Sequence, residues 1–309
     1  MFLPFICLLF FASLRPSYGQ NIPLYYQLLE AYKPISTYTY TPTPTPTKTI
    51  TSSIPQSTFN NFTNNSQSNS SSLAPSLSLL AGQILGAATS NGQTITVGVL
   101  GDSMTSSLGP NISQLELSLR KYYPNYQFKL LNYGSGDNNI EDGFFRLQNN
   151  YEYLGRQVPS LLSQNPNIIV VESFAYNNFG NTQEGINRHW VNLNAIVSSI
   201  NQKSPQTKVV IATTIAPNSA IYGNSNPNLN LNAMQKIEAT TAIKLYSQNS
   251  INFAKTSNLP LADSFTPSMT NGDGLRDFIS TEDNTHPSNL GIQLFCDTVA
   301  KTIFDYRLI

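Results

Sequence analysis

The chain has 309 residues, and 17 Lys and Arg balance 17 Asp and Glu, so its formal net charge is zero. Without a basic excess we expect no nucleic-acid partner, because affinity for nucleic acid comes largely from neutralising phosphates. Charged residues make up only 11% of the chain, against about 25% in ordinary soluble domains, which indicates a neutral, polar surface. Two cysteines and two histidines are too few for a Cys/His zinc site, so no metal is expected.

The chain begins with an apolar segment, Phe2 to Leu14, followed by a short polar stretch that ends at Gly19 and Gln20. This segment is shorter than the roughly 20 residues of a membrane helix and has the form of a signal peptide. Residues 1–19 therefore predict export, with a secreted or envelope-associated protein. No Lys or Arg precedes the apolar run, which leaves an uncleaved N-terminal anchor, and thus a membrane tether, as the alternative. If the segment is cleaved, Cys296 has no partner and is expected to be a small buried side chain.

Residues 20–92 form a low-complexity segment. Thr and Pro alternate from Thr41 to Thr47, and Asn60 to Ser72 is nearly pure Asn, Ser, Thr and Gln. Such sequences favour an extended chain and have too few apolar residues to offset the entropy of ordering. We predict a linker here, with one short helix between Leu73 and Ala88.

Residues 93–309 alternate short β-rich runs with longer helical ones, which predicts a single α/β domain. The predicted strands are Ile95 to Leu100, Gln127 to Leu131, Ile168 to Glu172, Val209 to Thr213 and Leu259 to Ala262. The predicted helices are Ile112 to Tyr122, Phe144 to Leu162, Gln183 to Ile200, Ala233 to Ala254 and Ile292 to Tyr306. Unbroken apolar strands separated by helices indicate a parallel sheet that is covered on both faces. In such sheets a ligand binds outside the carboxyl ends of the strands.

A serine follows directly on the first predicted strand, in Gly101-Asp102-Ser103. The glycine permits a tight turn, so Ser103 is placed to project its hydroxyl into the crevice at the strand ends as a nucleophile. The alternative is an ordinary turn with a helix N-cap.

A base for this serine is found before the last predicted helix, in Asp283-Asn284-Thr285-His286. A serine hydroxyl needs a group that takes its proton, and a neutral imidazole suits this role at neutral pH. The three-residue spacing lets Asp283 orient the His286 imidazole within one turn. The alternative for His286 is an exposed loop histidine.

These two motifs together resemble the SGNH/GDSL hydrolases, over residues 94–309. Two further motifs fit the resemblance: Gly134 follows the second strand, and Ala175-Tyr176-Asn177-Asn178 follows the third. In the latter the family has Gly and Asp where this chain has Ala175 and Asn178. The resemblance implies a three-layer α/β/α sandwich with a mainly parallel, flavodoxin-like sheet.

The resemblance also implies roles for individual residues. Ser103 is the nucleophile, His286 the base and Asp283 the orienting carboxylate, and no cofactor is required. The backbone N–H groups of Ser103 and Gly134 and the Asn177 amide form the oxyanion hole, which is often the largest catalytic contribution.

The expected function is that of an exported, linker-tethered serine esterase acting on small-molecule or glycan esters. Extracellular or envelope carbohydrate that bears O-acyl groups is the preferred substrate, because export would place the enzyme there. The alternatives are an acyltransferase with the same triad and a catalytically inactive surface-binding module. An acidic cluster, Asp137, Glu141 and Asp142, is interpreted as a solvated turn rather than as paired glycosidase carboxylates. His189 is interpreted as a packing residue.

Overall fold

The computed structural model describes residues 92–227 and 229–309. The predicted signal peptide and nearly all of the predicted linker lie outside the described residues. The strands are β1 (Thr94–Gly101), β2 (Gln127–Gly134), β3 (Tyr151–Tyr153), β4 (Arg156–Val158), β5 (Ile168–Glu172), β6 (Lys208–Thr213), β7 (Leu261–Asp263), β8 (Met269–Thr270) and β9 (Asp273–Gly274). The helices are α1 (Ser103–Ser106), α2 (Ser113–Tyr122), α3 (Ile140–Gln148), α4 (Gln183–Lys203), α5 (Ala233–Thr256) and α6 (Asn289–Asp305).

Five parallel strands form the central sheet, in the order β2-β1-β5-β6-β7. The helices α2 and α6 pack together on one face, while α3, α4 and α5 contact one another on the other. All five residues of β5 are buried, as expected for a strand that is covered on both faces. The structure therefore confirms the predicted three-layer α/β/α sandwich with a flavodoxin-like strand order.

The core between the sheet and the pair α2 and α6 contains the free Cys296, which is fully buried. Burial, with a smaller effect of the neighbouring Asp297, raises the pKa of the Cys296 thiol to about 12. The Asp297 carboxylate joins the two helices, because it accepts hydrogen bonds from Ser118 and Lys121 of α2, each at 2.6 Å. Cys296 is thus a packing residue rather than a reactive thiol.

The predicted helix from Phe144 to Leu162 is correct only over its first five residues, Phe144 to Gln148, and wrong beyond them. Helix α3 ends at Gln148, and β3 and β4 follow as an antiparallel hairpin. The hairpin turns at Leu154 and Gly155, both of which have positive φ, 50° and 72°. A glycine favours this backbone region and Tyr-rich runs favour strands, so these local preferences prevail over the apolar spacing that predicted one long helix.

The other differences between the predicted and observed element bounds are small and leave the architecture unchanged. For example, β2 extends to Gly134, and β7 begins at Leu261, two residues later than predicted. Within the two described ranges, no helix is both long and apolar enough to cross a membrane. Because all five strands of the sheet are parallel, their carboxyl ends share one edge, and the loops at that edge carry the predicted site residues.

Candidate active site

Ser103 is the first residue of α1 and stands immediately beyond the end of β1. Asp102 is the N-cap of this short helix, and its carboxylate accepts the N–H of Met104 at 2.8 Å. The Ser103 side chain is half-buried, so its hydroxyl is held by a capped turn but is not sealed in the core. This is the position that the sequence predicted for a nucleophile.

Only glycine fits before this turn. A Cβ on Gly101 would lie 2.0 Å from the Thr105 hydroxyl oxygen and 2.9 Å from the Cβ of Glu172. The end of β1, the start of α1 and the end of β5 therefore approach each other too closely for any side chain here. The glycine is what lets α1 fold back over the sheet and place Ser103 at its edge.

Asp283 and His286 lie together in the loop before α6. The Asp283 carboxylate contacts Nδ1 of the His286 imidazole and accepts the backbone N–H of Thr285 at 2.9 Å and of His286 at 3.0 Å. Partial burial raises the pKa of Asp283, but hydrogen bonds from His286 and from these N–H groups outweigh burial and lower it. Asp283 therefore stays ionised and directs Nε2 of the imidazole away from itself.

The histidine loop packs against the serine helix. Its base is fixed by a bridge between Ile279 and Pro287, and Ile279 shares an apolar cluster with Met104, the residue after Ser103. No hydrogen bond joins the Ser103 hydroxyl to His286 in the part of the chain that the structure describes. Catalytic hydrogen bonds of this kind often tighten only in the complex with substrate.

Gly134 has a different role from the one that the resemblance implied. Its N–H donates to the side-chain oxygen of Asn132 at 2.8 Å, and is therefore not free to bind an oxyanion. A Cβ on Gly134 would lie 2.2 Å from the backbone nitrogen of Ser106. Gly134 is thus a packing glycine that lets β2 approach α1, and the N–H that the resemblance assigns to the oxyanion hole is bonded to Asn132 in this structure.

The next glycine of the same loop, Gly136, is the better backbone candidate. It is half-buried, its Cα faces open space, and its N–H makes no hydrogen bond to any residue of the described ranges. The N–H of Ser103 is also without an acceptor there. Gly136 could have been considered from the sequence, because Gly134-Ser135-Gly136 contains both glycines. The choice between the two glycines depends on the hydrogen bond from Gly134 to Asn132, which only the structure shows.

Asn177 and Asn178 differ in what their side chains do. The Asn178 amide is used within its own loop: it donates to the carbonyl of Ala175 at 2.8 Å and accepts the N–H of Gly180 at 2.8 Å. Asn177 ends a 3₁₀ turn, Ala175–Asn177, and faces the Asp102 carboxylate. Burial raises the pKa of Asp102, and hydrogen bonds from Met104 and Asn177 offset part of this effect. Asn177 therefore lies beside the nucleophile turn, whereas Asn178 braces the loop.

The sequence analysis missed a buried charged cluster beneath the nucleophile turn. Asp102, Glu172 and Arg146 are 0%, 0% and 2% exposed. Arg146 donates to the carbonyls of Gly101, at 2.8 Å, and Tyr133, at 3.4 Å, and so joins the ends of β1 and β2. An acidic residue at the end of an otherwise apolar strand, as in Ile168 to Glu172, was the signal that could have indicated this cluster.

A cleft of about 240 Å³ lies on the side of the site where the 3₁₀ turn after β5 meets α5. Its walls include the rings of Tyr176 and Tyr222, whose centroids are 6.3 Å apart, and the exposed polar side chains of Asn181 and Glu238. After burial, which dominates, the charge of Asp283 also raises the pKa of both tyrosines, so the cleft lies near the histidine loop.

The other residues that the sequence analysis considered for catalysis have structural roles. Glu141 pairs with Arg188, with a shortest contact of 2.5 Å, and Asp142 completes the capping box of α3. His189 is buried between the carbonyl of Ser173 and the amide of Asn249. These contacts agree with the interpretation of His189 as a packing residue. Of the acidic cluster only Asp137 lies in a turn, whereas Glu141 and Asp142 are at the start of helix α3.

No protein-family model and no curated protein matches the sequence. Among solved structures, a lipase/acylhydrolase from Enterococcus faecalis resembles the chain with 17% identity and a TM-score of 0.49, over 69% of this chain and 96% of its own. A catalytic mutant of an acetylxylan esterase from Geobacillus stearothermophilus does so with 14% identity and a TM-score of 0.46, over 70% and 96%. A likeness at this level carries no argument about activity, so the function is argued from the site.

Proposed function

We propose that this protein is a serine esterase of the SGNH/GDSL type, which hydrolyses carboxylic esters with Ser103, His286 and Asp283. The observation that carries the proposal is the ionised Asp283 in contact with the His286 imidazole, on a loop that packs against the helix that begins with Ser103. A serine at a strand end, a histidine and an orienting carboxylate are the parts that acyl transfer through serine requires.

The reaction follows from these positions. The Ser103 hydroxyl attacks the ester carbonyl while Nε2 of His286 takes its proton, and Asp283 stabilises the resulting imidazolium. The proton then passes to the leaving alcohol, and an acyl group remains on Ser103. Water, deprotonated by the same imidazole, releases the acid and restores the serine.

The tetrahedral intermediate needs donors that point at its negative oxygen. We assign this role to the N–H groups of Ser103 and Gly136 and to the Asn177 amide. The two N–H groups make no hydrogen bond within the described residues, and Asn177 lies beside the same turn. Gly136 replaces Gly134 in this assignment because the N–H of Gly134 is used by Asn132.

We further propose that the natural substrate is an O-acylated carbohydrate outside the cell or in its envelope. The cleft supports this proposal, because the half-buried ring of Tyr176 offers an apolar face to a sugar ring. Asn181 and Glu238 provide polar groups for its hydroxyls. Export rests on the sequence of residues 1–19 alone.

The test is hydrolysis of p-nitrophenyl acetate together with labelling by a fluorophosphonate probe. The wild type should be active and labelled at Ser103, while Ser103→Ala should lose both. Ser106→Ala is the matched control, because Ser106 lies on the same short helix and should keep both. A wild type that is neither labelled nor active would leave the inactive surface-binding module as the function. Labelling with acyl transfer to an added alcohol, in preference to water, would identify an acyltransferase.

A substrate panel tests the carbohydrate proposal separately. Acetylated xylooligosaccharides should be hydrolysed with a higher kcat/KM than p-nitrophenyl acetate, and Asn181→Ala, which removes an exposed polar side chain of the cleft, should lower this value for the oligosaccharide only. A preference for long-chain fatty acyl esters would contradict the carbohydrate proposal while leaving the esterase intact.

A further inference from the structure

Two carboxyl groups are buried against each other under the nucleophile turn. Asp102 immediately precedes Ser103, and Glu172 ends β5 next to it, because Leu100 of β1 pairs with Val171 of β5. Both side chains are 0% exposed. The carboxyl of Glu172 accepts the N–H of Asp102 at 3.3 Å and the hydroxyl of Ser173 at 2.6 Å. Glu172 therefore touches the backbone that carries the serine.

The charges around this pair balance only if one carboxyl is neutral. Arg146, from α3, is the buried cation on this side, and its guanidinium feels the charge of Asp102. The other titratable groups that face the pair are the phenols of Tyr176 and Tyr222, whose pKa values burial raises above the ordinary value. Neutral phenols cannot compensate a second buried negative charge, and a buried charge without a partner is strongly unfavourable.

Geometry assigns the proton to Glu172. The buried cation favours the charge of Asp102, because Arg146 donates to the carbonyl of Gly101, the residue before Asp102, and interacts with the charge of Asp102. Burial and the charge of Asp102 raise the pKa of Glu172 well above its ordinary value. In addition, Oδ2 of Asp102 is buried and no donor of the described residues is within hydrogen-bond geometry of it, while the Asn177 amide and the Glu172 carboxyl both lie beside Asp102. A proton on Glu172 supplies a donor to this carboxylate.

We infer that Glu172 is a positioning residue: its protonated carboxyl accepts the N–H of Asp102, donates to the Asp102 carboxylate, and so fixes the turn that carries Ser103. Both ends of Asp102 are then held by one side chain from the neighbouring strand. A small displacement of a nucleophile can cost about a hundredfold in rate, so this contact matters for turnover although Glu172 does not touch substrate. The activity part of the inference rests on the proposed esterase function, and the protonation part does not.

The experiment compares Glu172→Gln with Glu172→Leu in the full chain. Glutamine reproduces the neutral carboxyl, because its carbonyl accepts and its amide donates. It should keep kcat within about twofold of the wild type and leave the melting temperature nearly unchanged. Leucine has a similar size but cannot form either hydrogen bond. It should lower kcat for p-nitrophenyl acetate by about ten- to a hundredfold with little change in KM. A glutamine variant as impaired as the leucine variant would overturn the inference, because the protein would then need an ionised Glu172.

Infrared spectroscopy gives a readout that needs neither activity nor the leucine variant. A protonated carboxyl has its own C=O stretching band, separate from the bands of carboxylates. We expect this band in the wild type at neutral pH and its loss in Glu172→Gln, while Asp283→Asn, the matched control for an ionised carboxylate, should retain it. Absence of the band from the wild type would refute the protonation even in an active esterase. Its presence in an inactive protein would refute only the esterase.

Discussion

Acid should destabilise the protein through His189, and the size of the effect follows from its surroundings. The imidazole is 1% exposed, and its Nε2 lies 2.7 Å from the carbonyl of Ser173. A carbonyl only accepts, so Nε2 carries the proton and Nδ1 accepts from the amide of Asn249 at 2.9 Å. Burial lowers the pKa of His189 from 6.5 to about 4, although the Ser173 carbonyl opposes the shift.

The sign and the size of the pH effect on the free energy of unfolding follow from the difference between the folded and unfolded pKa of His189. Because the pKa is lower in the folded state, the neutral imidazole stabilises the fold above pH 6.5, and this contribution is lost as the pH falls towards 4. The whole shift corresponds to about 3 kcal/mol, of which about 2 kcal/mol is lost between roughly pH 7 and pH 5. Glu172 acts in the opposite direction, since a raised pKa stabilises the fold at low pH and less so as the pH rises.

The assay is urea unfolding of the wild type and of His189→Gln at several values between about pH 7 and pH 5. Both proteins contain Glu172, so its contribution cancels in the difference between them. Glutamine keeps a donor for the carbonyl of Ser173 but does not titrate, so the variant should lack the loss of about 2 kcal/mol. The matched control is His286→Gln, which removes the chain's other histidine and should retain the loss. Parallel curves for the wild type and His189→Gln would refute the assignment of a buried neutral imidazole.

Three further predictions concern the site and the domain. Ser103→Ala and His286→Ala should each remove nearly all ester hydrolysis, and the double variant should be little worse, because nucleophile and base act as one unit; full activity in either single variant would exclude the triad. Asn177→Ala should lower kcat by about a hundred- to a thousandfold, whereas Asn178→Ala should mainly lower the melting temperature by removing a loop brace; the reverse result would exchange their roles. A chain that starts at Gly92 should keep its melting temperature and its activity, because the linker composition cannot build a core; loss of folded protein would show that residues before Gly92 pack on the domain.

The fold could be predicted where a strand is apolar throughout. Ile168–Glu172 was exact because a strand that is covered on both faces needs unbroken apolar residues. The hairpin after α3 could not be predicted in this way, since its strands are three residues long and none of their residues is buried. Gly155 and the Tyr-rich run favour a hairpin, but the turn also needs positive φ at Leu154, a residue type that rarely adopts this region.

Part of the candidate site could likewise be predicted from the sequence, and part could not. Asp283 and His286 could be paired from the sequence because they lie within one turn of each other. The role of Gly134 could not, because it depends on the Asn132 side chain folding back onto the N–H of Gly134. The role of Glu172 could not be predicted for a related reason. Its contact with Asp102 depends on the pairing of β5 with β1.

The local pairing of Asp283 with His286 determines the order in which the site forms and fails. Closing the three-residue loop between Asp283 and His286 costs little chain entropy. Ser103 lies far from them in the sequence, so it meets the histidine only after long-range packing, including that of α6 beside α2. We therefore expect the base and the acid to assemble first and the nucleophile to join them last. We also expect heating to loosen the apolar cluster that holds Met104 and Ile279 before the sheet unfolds, which would separate the serine from the intact pair. Ester hydrolysis should then be lost some degrees below the temperature at which the protein unfolds.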